Sequence, residues 1–451
     1  MRLEHIQLIA FVWSGLVAGW GLIEKQHVLG LHDDHEEQQQ QQPWSPPASL
    51  FEDGEAHHRP HVGFVALGDS YSAGIGTGVV GEENDCRRSL GAYPQLIALD
   101  LAAEHGGLPN STSFQFLSCT GATTEDILSD GGDGSSPASQ IDALNASRPI
   151  DFALLTVGGN DLGFFHVMNA CIFRFYNFYS GTCETALARA QERLDSRDFD
   201  ERLYLVITEL LDKVRWEKKP RFRVTVTGYA QFFNDRTEAC DDMSLGVWWR
   251  GPKLERQLRR RMNVMVRAVN RKIGAAVARI NRQFTSAKVV FVDYDAAFEG
   301  HRFCELGAVE PDYARNETWF FLVGGPDNVD RPGGNGTSDT TAGGSAAARL
   351  YHPVDAQTLD EQPSGRLVDP VTCLPYAQRS GDWGELALCY MAMSMAEDPT
   401  LRPAREGEIM TSKNSMWHVP TYYGKTFHPR SLGHEAIRDR IYEVWSQQQE
   451  P

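Results

Sequence analysis

Five short apolar runs, each closed by a turn residue or a polar break, constrain the fold more than any other feature of this chain. They are Val62–Leu67, Phe114–Leu117, Phe152–Val157, Arg223–Thr227 and Val289–Val292. Runs this short, rich in Val, Phe and Leu, read as strands covered on both faces. Longer patterns with helical spacing of apolar residues lie between them, at Tyr93–Glu104, Glu184–Trp216 and Lys253–Arg282. Strand and helix in alternation predict a parallel five-stranded sheet with helices on both faces, a three-layer α/β/α sandwich. In an open sheet of that kind, ligands meet the chain just beyond the carboxyl ends of the strands. The residues that follow each run are therefore the candidates for chemistry.

After the first run comes Gly68-Asp69-Ser70-Tyr71-Ser72, which puts a serine on the turn leaving a buried strand. After the second comes Ser118-Cys119-Thr120-Gly121-Ala122, where a glycine can aim its N–H at a ligand with no side chain in the way. After the third comes Gly158-Gly159-Asn160-Asp161, which adds an amide donor. Near the carboxyl end, Phe427-His428-Pro429-Arg430-Ser431-Leu432-Gly433-His434 leads into a last amphipathic pattern, Ala436–Trp445. A hydroxyl, a backbone donor, an amide donor and an imidazole are the parts of acyl transfer: nucleophile, oxyanion stabilisers and base.

In that order the four blocks resemble those of the SGNH (GDSL-like) hydrolases, over about Gly63 to Ile437, with no recognisable block between 300 and 415. The resemblance implies a flavodoxin-like sheet and a secreted serine esterase or lipase that hydrolyses carboxylic esters. It implies Ser70 as nucleophile and His428 as general base. The oxyanion hole would consist of the Ser70 N–H, Gly121 and Asn160. The family carries an aspartate three residues before the histidine to orient the ring; here that position is Lys425. A Ser–His pair is expected instead, with the carbonyl of Lys425 or of a neighbour fixing the tautomer. An imidazole of ordinary pKa in this role predicts activity that falls through about pH 6 to 7.

Each block alone is a common turn sequence; their joint occurrence in family order carries the assignment. His352-Pro353, with Asp355 nearby, is a rival base, but no glycine and helix follow it. Gly76-Thr77-Gly78-Val79-Val80-Gly81 has the form of a dinucleotide fingerprint, yet it starts late after the strand and runs into Glu82-Glu83-Asn84-Asp85 rather than a helix. A mobile loop beside the cleft is the reading that fits. Two rivals share the fold: a binding glycoprotein that has lost the chemistry, and an acyltransferase that passes the acyl group to an alcohol. The substrate classes left open are lipids, small esters and acylated polysaccharides.

Charge and the chain ends narrow the setting. A formal net charge of −17 disfavours nucleic acid as a partner. The run Arg259-Arg260-Arg261 reads as the solvated face of a helix whose apolar stripe is Leu254, Leu258, Met265, Val269, Ile273 and Ile280. Ile6 to Ile23 is an apolar run expected to be an export signal within 1–23, with an uncleaved membrane anchor as the alternative. Residues 24–60 are polar and Gln/Pro-biased and read as a disordered linker, followed by the hydrolase domain over 61–448 with a long irregular insertion at about 300–415. Four glycosylation sequons start at Asn110, Asn145, Asn316 and Asn335. Eight cysteines without a CxxC spacing suit disulfides rather than a metal, and no metal, cofactor or obligate protein partner is implied. Adjacent strand ends would bring Cys86 to Cys119, and Cys171 with Cys183 would close a short loop. Cys240 with Cys304 and Cys373 with Cys389 would use the rest, and the pairing of these four stays open.

Overall fold

The computed structural model describes residues 62–78, 86–104, 112–129, 138–173, 182–245, 252–312, 315–322, 325–328, 374–375, 393 and 421–448. The predicted export segment and linker lie outside the described residues, as do Asn110, Asn335, His352, Cys373 and Cys389.

The five strands are β1 (Val62–Gly68), β2 (Thr112–Phe116), β3 (Phe152–Thr156), β4 (Arg223–Thr227) and β5 (Val289–Val292). They form one parallel sheet in the order β2-β1-β3-β4-β5. The expected strands are thus present, with ends shifted by one or two residues at most. All seven residues of β1 and all five of β3 are buried, which explains why these runs do not alternate with polar residues. The first crossover runs one way along the sheet and the later ones the other way. Right-handed connections then place helices on opposite faces, and the order reverses at β1.

On one face α1 (Ser70–Ala73) leaves β1 and α2 (Tyr93–Glu104) returns the chain towards β2. The other face carries α3 (Cys183–Asp195), α4 (Arg197–Val214) and α5 (Arg256–Asn281). The final helix, α6 (Ser431–Gln447), packs against α2. Its Trp445 lies edge-on to Phe152 of β3 and donates its indole N–H to Thr225 of β4 at 2.9 Å. Phe64 stacks between Phe114 and Phe152, at 4.4 and 4.7 Å, so an aromatic row crosses β2, β1 and β3.

Two helical expectations need correction. The single pattern Glu184–Trp216 is two helices, because the Ser196 hydroxyl accepts the N–H of Phe199 and starts a new helix there. The basic run on α5 is not uniformly solvated. Arg260 and Arg261 are exposed, but Arg259 has no exposure at all. Its guanidinium binds the carbonyls of Leu254, Asn234 and Thr237 and the carboxylate of Asp241. The apolar stripe turns accordingly, with Met262, Val266, Val269, Ile273, Val277 and Ile280 buried, while Leu258 and Met265 are only partly covered.

Within the irregular stretch, the residues described between Gly300 and Leu322 form no regular helix or strand, yet they are packed. Phe303, Phe320 and Phe321 are buried, and Phe320 makes an isolated bridge to Pro429, next to His428. Among the described residues three disulfides are formed: Cys86–Cys119, Cys171–Cys183 and Cys240–Cys304. Asn145 and Asn316 are both exposed. No helix among the described residues is long and apolar enough to cross a membrane.

Candidate active site

The rim above the carboxyl ends of β1, β3 and β4 collects the residues singled out from the sequence. At the end of β1 the backbone takes φ +138° at Gly68, a conformation that suits glycine, and a Cβ there would meet the Thr156 carbonyl. The chain then enters α1 through Asp69, whose Oδ1 accepts the Tyr71 N–H at 2.9 Å as a helix cap. Ser70 is therefore the first residue of a one-turn helix, and its N–H belongs to the donors that a helix leaves unpaired.

His428 reaches Ser70 from the far end of the chain. Its Nε2 lies 2.6 Å from Ser70 Oγ, and its Nδ1 lies 3.1 Å from the Thr426 carbonyl oxygen. A carbonyl can only accept, so Nδ1 carries the proton and Nε2 is left to accept from the serine hydroxyl. The neighbour's carbonyl, rather than that of Lys425, takes the ring N–H. The Lys425 carbonyl accepts the backbone N–H of His428 at 2.9 Å. This closes a turn whose third residue, Phe427, has φ 65°. Positive φ at that place is what a type II turn demands, and it turns the preceding carbonyl outward. A phenylalanine is strained there by about 1 to 3 kcal/mol. Its ring is held by Phe232, Phe233 and Phe303 at 5.3, 5.6 and 4.9 Å, and its carbonyl accepts the Tyr71 hydroxyl at 2.7 Å. The Lys425 ammonium itself lies 4.5 Å over the Phe321 ring.

The second and third blocks meet each other beside the serine. Asn160 donates from Nδ2 to the Ala122 carbonyl at 3.0 Å, and Asp161 accepts from Thr124 through both its N–H and its hydroxyl. Gly121 has φ 88°. Neither its amide nor that of Ser70 makes a hydrogen bond to any described residue. The Cys119 N–H binds the Gly68 carbonyl at 2.9 Å, and the Thr120 N–H binds that of Cys86 at 3.1 Å. The Cys86–Cys119 disulfide thus fastens the glycine turn to the serine turn. His434, near the start of α6, accepts the Tyr93 N–H at 3.3 Å and takes no place in the cleft.

A pocket of about 70 Å³ opens beside Ser70, Asn160 and His428. Asp69, Tyr71 and Tyr229 also line it, and the rest of its wall is apolar: Leu162, Phe164, Val167, Phe232, Met262 and Val266 among them. In that setting burial dominates the titrations. It pushes His428 down to about 4, against smaller upward effects of the hydrogen bonds at Thr426 and Lys425. This revises the expectation of an ordinary imidazole, because among the described residues no carboxylate compensates the ring's desolvation. Burial pushes Asp69 the other way, to about 7, even though Tyr229 and Tyr71 donate to it.

Two participants were not read from the sequence. Tyr71 sits within the first block but acts through a hydroxyl that no motif specifies. Tyr229 stands two residues past β4, and the rule that directs attention to strand ends would have found it.

A parallel α/β sheet with a buried serine–imidazole pair and free amides at its carboxyl rim defines the class to which this chain belongs structurally. Residues 66–312 match the GDSL-like Lipase/Acylhydrolase family. The chain is a member of that family. It is similar to Lipase 1 of Streptomyces coelicolor, 33% identical over 172 residues, covering 38% of this chain and 53% of that protein. It is also similar to a lipase of Streptomyces rimosus, 31% identical over 193 residues, covering 42% of this chain and 61% of that protein. The chain thus spans between about half and three fifths of the length of these curated relatives. Among solved structures, it is similar to the extracellular lipase of Streptomyces rimosus, with TM-score 0.40 and 27% identity, covering 55% of this chain and 86% of the other. Phospholipase A1 of Streptomyces albidoflavus is similar at TM-score 0.38 and 29% identity, covering 54% of this chain and 84% of the other.

Proposed function

We propose that the chain hydrolyses carboxylic esters with an apolar acyl group, using Ser70 and His428 without an acidic partner. The observation that carries this reading is the 2.6 Å contact from Ser70 Oγ to His428 Nε2, with Nδ1 committed to the Thr426 carbonyl. In the first step His428 takes the hydroxyl proton while Ser70 Oγ bonds to the ester carbonyl carbon. The oxyanion is received by the Ser70 and Gly121 amides and by Asn160 Nδ2, which has a second N–H beyond the one given to Ala122. Collapse breaks the C–O bond, and the imidazolium returns the proton to the leaving alcohol. Water then repeats the sequence on the acyl-enzyme and releases the acid. The apolar pocket supports an acyl chain rather than a sugar as the group beside the serine.

The same reading includes export of the chain. Three disulfides formed among the described residues support it, as do exposed sequon asparagines at 145 and 316. The test is a p-nitrophenyl ester chain-length series on the wild type, Ser70→Ala and Asn160→Ala, with fluorophosphonate labelling of the folded protein. Ser70→Ala is expected to abolish both turnover and labelling, and Asn160→Ala to lower kcat by about a hundredfold or more. Absence of any adduct on Ser70 in folded wild type would favour the binding glycoprotein on the same fold.

A further inference from the structure

Just beyond β4, Tyr229 sends its side chain back under the serine turn. Its hydroxyl donates to Asp69 Oδ2 at 2.6 Å and accepts the backbone N–H of Gly159 at 3.0 Å. Asp69 is the cap of the helix on which Ser70 is the first residue, and Gly159 is the residue before Asn160. One oxygen atom therefore joins the nucleophile's helix to the loop that bears the amide donor. Tyr229 is itself tightly held. Asn270 of α5 accepts its N–H at 2.9 Å and donates to its carbonyl at 2.8 Å, and its ring lies edge-on to Tyr71 at 5.1 Å. The Tyr71 hydroxyl is already engaged by the Phe427 carbonyl, so it is not available as a substitute.

We propose that Tyr229 is a positioning residue for the oxyanion site: its phenol, bridging Asp69 and the Gly159 N–H, fixes the Asn160 amide relative to Ser70. The proposal rests on the ester-hydrolase reading above. A phenol suits the place because it donates in one direction and accepts in another at the end of a rigid ring. Without the oxygen, Asp69 Oδ2 loses the phenol and the N–H of Gly159 loses its partner, while Asp69 Oδ1 keeps the Tyr71 N–H. The peptide at 159 is then free to turn towards the cleft, and the Asn160 side chain turns with it.

The experiment compares wild type, Tyr229→Phe, Asn160→Ala and the double variant, with active sites counted by fluorophosphonate titration and turnover measured on p-nitrophenyl butyrate. Tyr229→Phe is expected to lower kcat per titrated site by about tenfold or more with KM within about twofold, since the loss falls on the transition state. On the Asn160→Ala background the same change is expected to cost less than about threefold, because the two act through one group. Amide exchange of the 157–163 segment is expected to accelerate in Tyr229→Phe while the rest of the sheet is unchanged. Should that variant fail to fold, Asp69→Asn keeps the volume and, whichever way its amide turns, loses one of the carboxylate's two bonds or the phenol's bond to Gly159. The same kcat loss and exchange change are then expected. Unaltered kcat per titrated site, an equal factor in both backgrounds, or unaltered exchange at 157–163 overturns the proposal. An active wild type with an indifferent Tyr229→Phe ends this proposal alone. A wild type that neither labels nor turns over ends the hydrolase reading and this proposal with it.

Discussion

The acid limb of kcat/KM on an uncharged ester is expected near pH 4 for His428, well below where an ordinary imidazole would put it. The ring is buried, its Nδ1 faces a carbonyl, and Arg87 adds a further push in the same direction as desolvation. At pH 5 a base of pKa about 4 is about nine-tenths neutral, whereas one of pKa about 6.5 is only about one part in thirty neutral. The ratio of kcat/KM at pH 5 to that at pH 8 therefore separates the two cases by nearly thirtyfold. Asp69 complicates the profile, because burial places its titration at about 7, with Tyr229, Tyr71 and Asp161 as the groups acting on it. The perturbation is accordingly Asp69→Asn, and the assay is the shape of the full profile on p-nitrophenyl butyrate, not its height. Any limb near 7 should vanish in that variant and leave only the one near 4. The stability consequence of His428 has a definite sign, and Asp69→Asn is the background that isolates it, because the raised Asp69 acts in the opposite sense over the same window in wild type. A depressed histidine pKa means the unfolded chain binds more protons between about pH 6.5 and 4, so in that variant stability is lost as pH falls through that window. A limb that stays between 6 and 7 in Asp69→Asn would show that burial does not govern this imidazole, and the reasoning would fail.

Two further outcomes follow from the packing. Arg259→Ala should destabilise the fold by about 3 to 5 kcal/mol in urea unfolding, because Asp241 and three carbonyls lose a buried partner, while Arg260→Ala stays within about 0.5 kcal/mol. Equal effects would mean the guanidinium is solvated after all. Removing the Cys86–Cys119 bridge, whose ends are 33 positions apart in sequence, should cost about 4 kcal/mol by the loop-entropy relation and lower kcat as well, since the bridge fastens the Gly121 turn. A double Cys→Ser variant with unchanged thermal midpoint would contradict this.

The sheet was legible because burial on both faces leaves β1 without a polar residue and β3 with only its last, Thr156, and a continuous apolar run announces itself. The places of Ser70 and His428 at the rim were legible for a different reason: each stands at a fixed offset from a strand or helix end. What escaped were contacts made by backbone atoms or across long stretches of chain. A carbonyl near His428 was expected to orient the ring, but which one depends on positive φ at Phe427, a residue that disfavours such a turn by its own preferences. Phe427 is held there by the rings of Phe232, Phe233 and Phe303, two of which lie nearly two hundred residues upstream, and by hydrogen bonds to Tyr71 and Phe321. The Tyr229–Asp69 bond joins positions 160 apart.

Arg259 escaped for a reason that reaches the site. Hydropathy assigns every polar residue of a helix to solvent, yet α5 turns Arg259, Asn263 and Asn270 inward. Past β4 the segment from Tyr229 to Thr237 has left the sheet ladder, and its peptide groups need partners elsewhere. Asn270 binds the N–H and carbonyl of Tyr229, and Asn263 does the same for Phe233. Arg259 takes the carbonyls of Asn234 and Thr237. Three polar side chains on one helix face thus replace a missing strand. Strand-like extension at this place would carry Tyr229 away from Asp69; the helix ladder instead holds it below the serine turn. The polar residues least consistent with a hydrophobic stripe on α5 are therefore the ones that connect this helix to the rim that carries Ser70 and His428.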